Sequence, residues 1–404
     1  MNKLLELITA GESKTLELKK ELPKGDKVAQ TAVAFANTSG GKIVIGVDDQ
    51  RNIVGIPADE ADSLRDKVTN IIYDSIAPMI KPEVYLLNAD GNILIVVEIR
   101  MESNTPYYLK SKGREQGVYV RLGATNRQAD DQMIYELDRD RLNISYDGDN
   151  DRSQDKVPPE LLEILTQRLE RTVTNKTLEN LGLYNPAKTP PLVAHACALL
   201  LGQREETQIR CARIKGDSDY VFIDRKDCSG DMFTQIEQAL AFVKNHLQLR
   251  SKKANNLNRI SEFEIPIDSV SEALINAVIH RDYAVSKIFT KVTVYDDCVE
   301  IMTPGGLMRG LHLSDAMTGR SEPRNRILAR IFHEADWIEQ WGIGLPKILR
   351  LCAEENLPTP EFIDSGSTFT VKIYRPVNDN GQNRKIPEDT GRYRKIPEDT
   401  GRYR

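Results

Sequence analysis

The sequence predicts an α+β protein of two domains, and three observations predict it. The chain has 404 residues, too many for one ordinary hydrophobic core. Short runs with apolar residues at period two alternate with longer runs at helical spacing, in both halves. A polar, acidic, proline-ended stretch, ISYDGDNDRSQDKVPPE, interrupts the pattern near 145–158. The expected division is a first domain over 1–143, a linker over 144–158, a second domain over 159–376 and a polar tail over 377–404.

Composition narrows the class. Hydrophobic residues make up 40% and charged residues 28%, as in a soluble globular protein. No apolar run approaches the ~18 residues that cross a bilayer. The opening MNKLLELITAGESK has neither a secretory core nor a cleavage site, so the expected place is the cytoplasm and no membrane contact is expected. Cys197, Cys211, Cys228, Cys298 and Cys352 form no metal-binding or disulfide pattern and read as small buried hydrophobes. A net charge of −5 draws no nucleic acid globally, so such binding requires a local basic patch.

In the first domain a short helix precedes ESKTLELKKE, where 15–19 alternates as a strand. Thr15, Glu17 and Lys19 share one side, and Leu16 and Leu18 the other. A helix is expected over 26–37, burying Val28, Ala32, Phe35 and Ala36. Next come a Gly-Gly turn into a strand, an Asp-rich turn, a second strand, a helix over 58–76, and strands near 83–88 and 92–100. The stretch TPYYLKSKGREQGVYVRLGATNRQ interleaves Tyr107, Tyr108 and Tyr119 with Lys110, Lys112, Arg114, Arg121 and Arg127. Aromatics stack on bases and cations hold phosphates, so this stretch can meet nucleic acid; it also reads as a solvated hairpin whose tyrosines pack inward.

Acidic residues give a second signal. Glu12, Glu17 and Asp48 fall in a loop, a strand and a strand end, and the two strands can neighbour one another. Three convergent carboxylates beside Lys19 would hold a divalent metal that activates water against a phosphodiester. The same residues also read as edge-strand charges and an aspartate turn.

ESKTLELKK, AFANTSGGKIVIGVDD and YVRLGATNRQA together resemble the AlbA-like domain of Schlafen proteins and of many bacterial regulators, over most of 10–130. In Schlafen nucleases two glutamates five residues apart and a downstream aspartate form a metal-dependent RNA-cleaving site. The resemblance implies Glu12, Glu17 and Asp48 in those places. Schlafen proteins usually pair two such lobes; this chain has one, so cleavage would need a dimer or be absent.

In the second domain two helices follow the linker, in VPPELLEILTQRLE and KTLENLGLYN, with a buried helix in PPLVAHACALLLG. Strands are expected at 208–215 and 220–224 and a long helix at 231–249. Residues 269–283, SVSEALINAVIHRDY, form a helix with Val270, Ala273, Leu274, Ala277 and Val278 on its apolar face. Glu272, Asn276 and His280, four apart, stack on another side. There the Asn oxygen can ligate magnesium and the Glu can accept a proton from water. Ser269 with Glu272 is equally the spacing of a capping box. Beyond lie strands in KIFTKVTVYDD and VEIM, the turn Pro304-Gly305-Gly306, a helix near 324–335, and Gly342-Ile343-Gly344 opening another helix. Two final strands complete an α/β sandwich, with helices on one face of a mostly antiparallel sheet. A glycine-led helix start presents N–H groups to phosphates.

EALINAVIHRDY, VEIMTPGGLMRG, RNRILARIF and GIGLPKI resemble the RecG-like ATP-binding domain, which belongs with the gyrase, heat-shock-protein and histidine-kinase (GHKL) ATPase fold. That resemblance implies ATP with Mg2+ or Mn2+, Glu272 as base and Asn276 as metal ligand. It implies a nucleotide site that includes His280, Asp282, Pro304, Gly305, Gly306, Gly342, Gly344 and Leu345. The wider fold carries an Asp before its first glycine loop to hold the adenine amine, where this chain has Thr303-Pro304. No Walker A sequence occurs, so a helicase is not supported.

The tail repeats KIPEDTGRYR at 385–394 and 395–404, too polar to form a core. It stands where many relatives carry a winged-helix DNA reader. It reads either as a segment for a partner or neighbouring subunit, or as a tolerated expansion. The leading expectation is a nucleotide-regulated effector acting on RNA or DNA, a metal-dependent endoribonuclease if the carboxylates hold metal. A non-catalytic DNA-binding transcriptional regulator and a homo-oligomeric assembly protein are the alternatives. The resemblance connects both with phage defence and gene regulation, and no residue here separates the two.

Overall fold

The computed structural model describes the chain except residues 1, 24–25, 217–220, 256–257, 286, 309, 339–343 and 377–404, and except the side chains of 2–3 and 251–260. Gly342 and both tail repeats therefore lie outside the described residues.

The first domain is built on a four-stranded sheet in the order Leu16–Lys19, Gly41–Ile45, Asn92–Ile99, Glu83–Ala89. The first two strands run parallel, with Glu17 opposite Ile43, and the others pair antiparallel. The Lys27–Ala36 and Ala61–Ser75 helices cover one face and seal a core around Phe35, Ile43, Val97 and Tyr107. Leu16 and Leu18 point the other way, onto a smaller cluster with Ile8 and Val44. The second strand expected after the Asp-rich turn is reduced to isolated bridges, Val47 to Ile53 and Ile56 to Ile93. A two-stranded ladder, Tyr119–Leu122 with Thr125–Gln128, follows, then the Asp131–Leu142 helix.

The second domain has a six-stranded sheet in the order Val221–Asp227, Ile209–Lys215, Thr290–Val294, Cys298–Pro304, Thr368–Tyr374, Glu361–Asp364. Only the Ile209–Lys215 and Thr290–Val294 pair is parallel. The Met232–His246 and Ile267–Ile279 helices share one core with this sheet, and Ile348 and Cys352 of the Gly344–Glu354 helix join it. The expected mixed α+β architecture is present in both halves. The stretch after the long helix is a hairpin, Leu249–Asn255 with Asn258–Phe263. All five cysteines are buried free thiols, and among the described residues no helix is long and apolar enough to cross a membrane.

The stretch read as a polar linker is part of the fold. Asp147 is fully buried and accepts the backbone N–H of Leu328 at 2.8 Å, across the start of the Arg326–Glu334 helix. That helix has no capping side chain of its own, because Asn325 turns its amide to the carbonyls of Ile279 and Arg281 (2.8 and 2.7 Å). Asp147 therefore caps it from 181 residues away in sequence. Asp151, also buried, accepts from Arg204 at 2.7 Å. Arg326 returns the contact, donating to the Asn143 carbonyl (3.1 Å) at the end of the first domain's last helix.

Candidate functional site

A cavity of about 690 Å³ lies between the Ile267–Ile279 helix, the six-stranded sheet and the Gly344–Glu354 helix. Glu272, Asn276, His280, Gly305, Gly306, Gly344 and Leu345 line it, so seven expected residues come together. Asp282 and Pro304 do not line it. Asp282 stands behind the wall, 3.6 Å from the Arg324 guanidinium, and its N–H donates to the Pro304 carbonyl at 2.8 Å.

The capping-box reading of Ser269 and Glu272 is overturned. The helix begins at Ile267, two residues earlier, with Pro266 in the cap position. Ser269 donates instead to the Pro266 carbonyl at 2.6 Å. Glu272 is thereby left to the cavity, where Asn276 Nδ2 donates to its Oε1 at 3.2 Å and Lys347 Nζ sits 3.2 Å from its Oε2.

The site fits a nucleotide with a divalent ion. Asn276 donates through its amide nitrogen to Glu272, and its oxygen, the atom that would ligate a metal, makes no hydrogen bond among the described residues. Gly344 opens its helix in a cradle: a Cβ there would stand 2.6 Å from Asn276 Nδ2 and 3.1 Å from Glu272 Oε1. Gly344, the first residue of its helix, thus stands at the cavity wall close to the Asn276 amide, and a helix start favours phosphates. Burial, with Arg324 alongside, pushes His280 down to about 4, so the imidazole is neutral at pH 7.

Sequence reasoning did not single out the cations on the walls. Arg320, Arg324, Arg330 and Lys347 all line the cavity. Arg324 is fixed by the carbonyls of His280 (3.3 Å) and Gly306 (2.9 Å), and Arg330 by the carbonyl of Asn180 (3.0 Å). The helical spacing of Arg326 and Arg330, and Lys347 three residues past Gly344, were available signals.

The three-carboxylate metal site of the first domain is not assembled. Lys19 Nζ bridges Glu12 (3.1 Å) and Glu17 (2.6 Å), and Arg121 holds the other Glu17 oxygen at 2.7 Å. Asp48 lies beyond the end of the neighbouring strand and turns back on its own loop, accepting from Asn52 N at 2.8 Å and Asn52 Nδ2 at 3.0 Å. Those bonds hold its carboxyl below the usual range. Among the described residues no group of three His, Cys, Asp or Glu side chains can hold a metal ion. The residues present do not fit the ion.

The proposed nucleic-acid stretch divides in the same way. Tyr107 and Tyr119 are buried and cannot stack on bases. Arg121 is 1% exposed and also donates to the carbonyls of Ser13 and Leu16. It is a structural arginine, because the period-two alternation of its strand turns 119 and 121 inward together. Tyr108 is half-buried, while Lys110, Lys112, Arg114 and Arg127 remain exposed for phosphates. Lys110 and Lys112 also donate to the Asp74 carbonyl and to Tyr119 Oη, and Arg114 pairs with Asp138.

Known proteins resolve the class. The family described as "Schlafen, AlbA_2" matches residues 12–130, and the family described as "Putative ATP-dependent DNA helicase recG C-terminal" matches residues 289–373. The chain therefore joins an N-terminal Schlafen AlbA_2 domain to a C-terminal ATPase-like domain of the recG C-terminal kind. The helix bearing Glu272 and Asn276 lies just upstream of the second match. The chain is similar to the crystal structure of the DIP2311 protein from Corynebacterium diphtheriae, at 16% identity and TM-score 0.49, over 93% of this chain and 80% of that one. It is also similar to the solution structure of the N-terminal domain of a "Putative ATP-dependent DNA Helicase RecG-related Protein" from Nitrosomonas europaea. That match has 28% identity and TM-score 0.25, over 31% of this chain and 91% of that one. No curated protein matches the chain. The two domains make this a nucleic-acid-related, nucleotide-binding protein.

Proposed function

We propose that the protein binds RNA or DNA through its Schlafen AlbA_2 domain and that ATP, held with Mg2+ in the second domain, sets the affinity of that contact. The observation that carries this is the junction. The helix that places Arg330 in the nucleotide cavity is capped by Asp147 and tied by Arg326 to Asn143, where the first domain ends. A ligand that pulls on Arg324 or Arg330 therefore loads a helix whose start is held by the segment leading out of the first domain. Asn276 and Glu272 would hold the metal and orient water, and Lys347 and Arg330 would meet phosphates. A divalent ion supplies charge neutralisation on those phosphates.

The engaged state of Glu12 and Glu17 and the turn of Asp48 favour binding without metal-dependent scission at that place. The reading is thus closer to a nucleotide-switched regulator than to a nuclease.

The test is a mobility-shift series on labelled transfer RNA, single-stranded RNA and duplex DNA, with and without ATP and Mg2+ or Mn2+. ATP is expected to change nucleic-acid affinity by about 5–150-fold, the usual range of coupling between sites. Arg326→Ala is expected to erase that change while leaving each ligand's own affinity in place. An unchanged affinity in the native protein, with nucleotide demonstrably bound, rejects the proposal. Metal-dependent cutting that Glu17→Ala abolishes would reinstate the nuclease.

A further inference from the structure

Glu272 and Lys347 come from two different helices and meet at the cavity wall, with Lys347 Nζ 3.2 Å from Glu272 Oε2. The other carboxylate oxygen accepts from Asn276 Nδ2 at 3.2 Å. Nitrogen therefore holds both oxygens, and one of the two donors is a cation. The pair is largely withdrawn from water, with 11% of the Glu272 side chain and 24% of the Lys347 side chain exposed. Salt and solvent screen such a pair far less than two surface charges.

The ion pair is not what docks the Gly344–Glu354 helix. Ile348 and Cys352, both fully buried, anchor that helix in the domain core on either side of any position Lys347 takes. Lysine is a compact charge on a flexible four-carbon stem, so it can pass from one anion to another while its helix stays in place. Phosphate oxygens are an acceptor it commonly takes.

Glu272 in this arrangement is a poor ligand for a divalent ion. A carboxylate oxygen meets magnesium at ~2.0–2.1 Å. With Nζ 3.2 Å from the same carboxylate, ammonium and metal would be near neighbours of like charge.

On the nucleotide reading of the cavity, we propose that Lys347 is the internal counter-ion of Glu272 and makes metal binding depend on the nucleotide. Lys347 holds the carboxylate until a polyphosphate draws its ammonium away, and Glu272 then turns to the metal with Asn276. Lys347 is thus a positioning residue for Glu272.

The test uses Mn2+ alone on the full chain, read by loss of the free-ion signal in electron paramagnetic resonance. Without nucleotide, Lys347→Met and Lys347→Gln are each expected to bind Mn2+ about tenfold more tightly than the native protein. Lys347→Arg should show no gain, and adding Glu272→Gln to Lys347→Met should erase it. In chelator, Lys347→Met should bind ATP about tenfold more weakly than native, the opposite sign. A merely structural ion pair gives no gain in metal affinity when it is broken.

Mn2+ affinity equal to or below native, in a variant whose tryptophan fluorescence shows it folded, overturns the proposal. So does a gain that survives Glu272→Gln. The nucleotide site still stands in both cases if the native protein binds ATP with Mg2+. A folded native protein that binds no ATP removes the nucleotide reading and this inference together.

Discussion

Replacing Asp147 by alanine removes a helix cap that comes from 181 residues away in the sequence. The carboxylate is fully buried and receives Leu328 N–H at 2.8 Å and the Ser145 hydroxyl at 2.5 Å. Alanine strips the cap and leaves a buried donor without a partner. The first loss costs about 0.5–2 kcal/mol and the second about 1–3 kcal/mol, so about 1.5–5 kcal/mol is expected together. Asparagine is the instructive comparison. Burial pushes the Asp147 carboxyl upward despite its hydrogen bonds, so holding the charge there costs more than the bonds return. Asp147→Asn keeps an acceptor for Leu328 without that charge, and is expected within about 1 kcal/mol of the native protein. Both tryptophans, Trp337 and Trp341, belong to the second domain, and Trp337 packs edge-on against Phe332 of the capped helix, their ring centroids 5.7 Å apart. Tryptophan fluorescence in urea therefore reports the affected domain alone. An alanine variant within about 0.5 kcal/mol of native, or an asparagine variant as damaged as alanine, would refute the capping argument.

Three further outcomes follow from the same geometry. Gly344→Ala puts a methyl group 2.6 Å from Asn276 Nδ2, and is expected to weaken nucleotide binding tenfold or more, about 1.4 kcal/mol, with little change in urea stability. Equal affinity in titration calorimetry would show that the glycine makes no close approach to ligand. Arg121→Ala strips the buried Glu17 of one of its two cations and should destabilise the first domain by about 3 kcal/mol. Arg127→Ala, at an exposed position, should leave stability unchanged while lowering both the affinity for nucleic acid and its salt dependence. The same loss of stability in both variants would contradict the division between structural and exposed arginines. His280 is held down to about 4, below its ordinary value near 6.5. The unfolded chain therefore binds a proton through this window that the folded chain refuses. Stability should fall as pH drops from about 6.5 to about 4, and less steeply in His280→Gln. Parallel pH profiles for the two proteins would remove His280 from that role.

How much of this the sequence disclosed differs between residues for physical reasons. The alternation at 16–19 and the helical stripe through Val270, Leu274 and Val278 reflect burial on one face, and both became elements close to their expected bounds. Glu272, Asn276, Gly305 and Gly344 meet because their spacing and loop chemistry are local properties of a helix and two turns. The capping box misled because a serine three residues before a glutamate caps only if the helix starts there, and Pro266 starts it earlier. The interleaved tyrosines and cations misled because composition along a strand ignores which face each residue takes. The inward pair Tyr119 and Arg121 was visible in the period of two. The docking of 144–158 could not be seen at all, since an aspartate in a polar run carries no mark of a partner 181 residues away.

That borrowed cap has a consequence for how the chain can be cut or recombined. A fragment beginning at 159, where the polar run ends, would carry every strand of the second sheet yet lack the carboxylate that closes the Arg326–Glu334 helix. A fragment beginning at 144 would keep it. The seam between the two modules thus runs ahead of the polar run, and a gene fusion that swapped the first module would need to join at or before Asn143 to deliver a sound recipient.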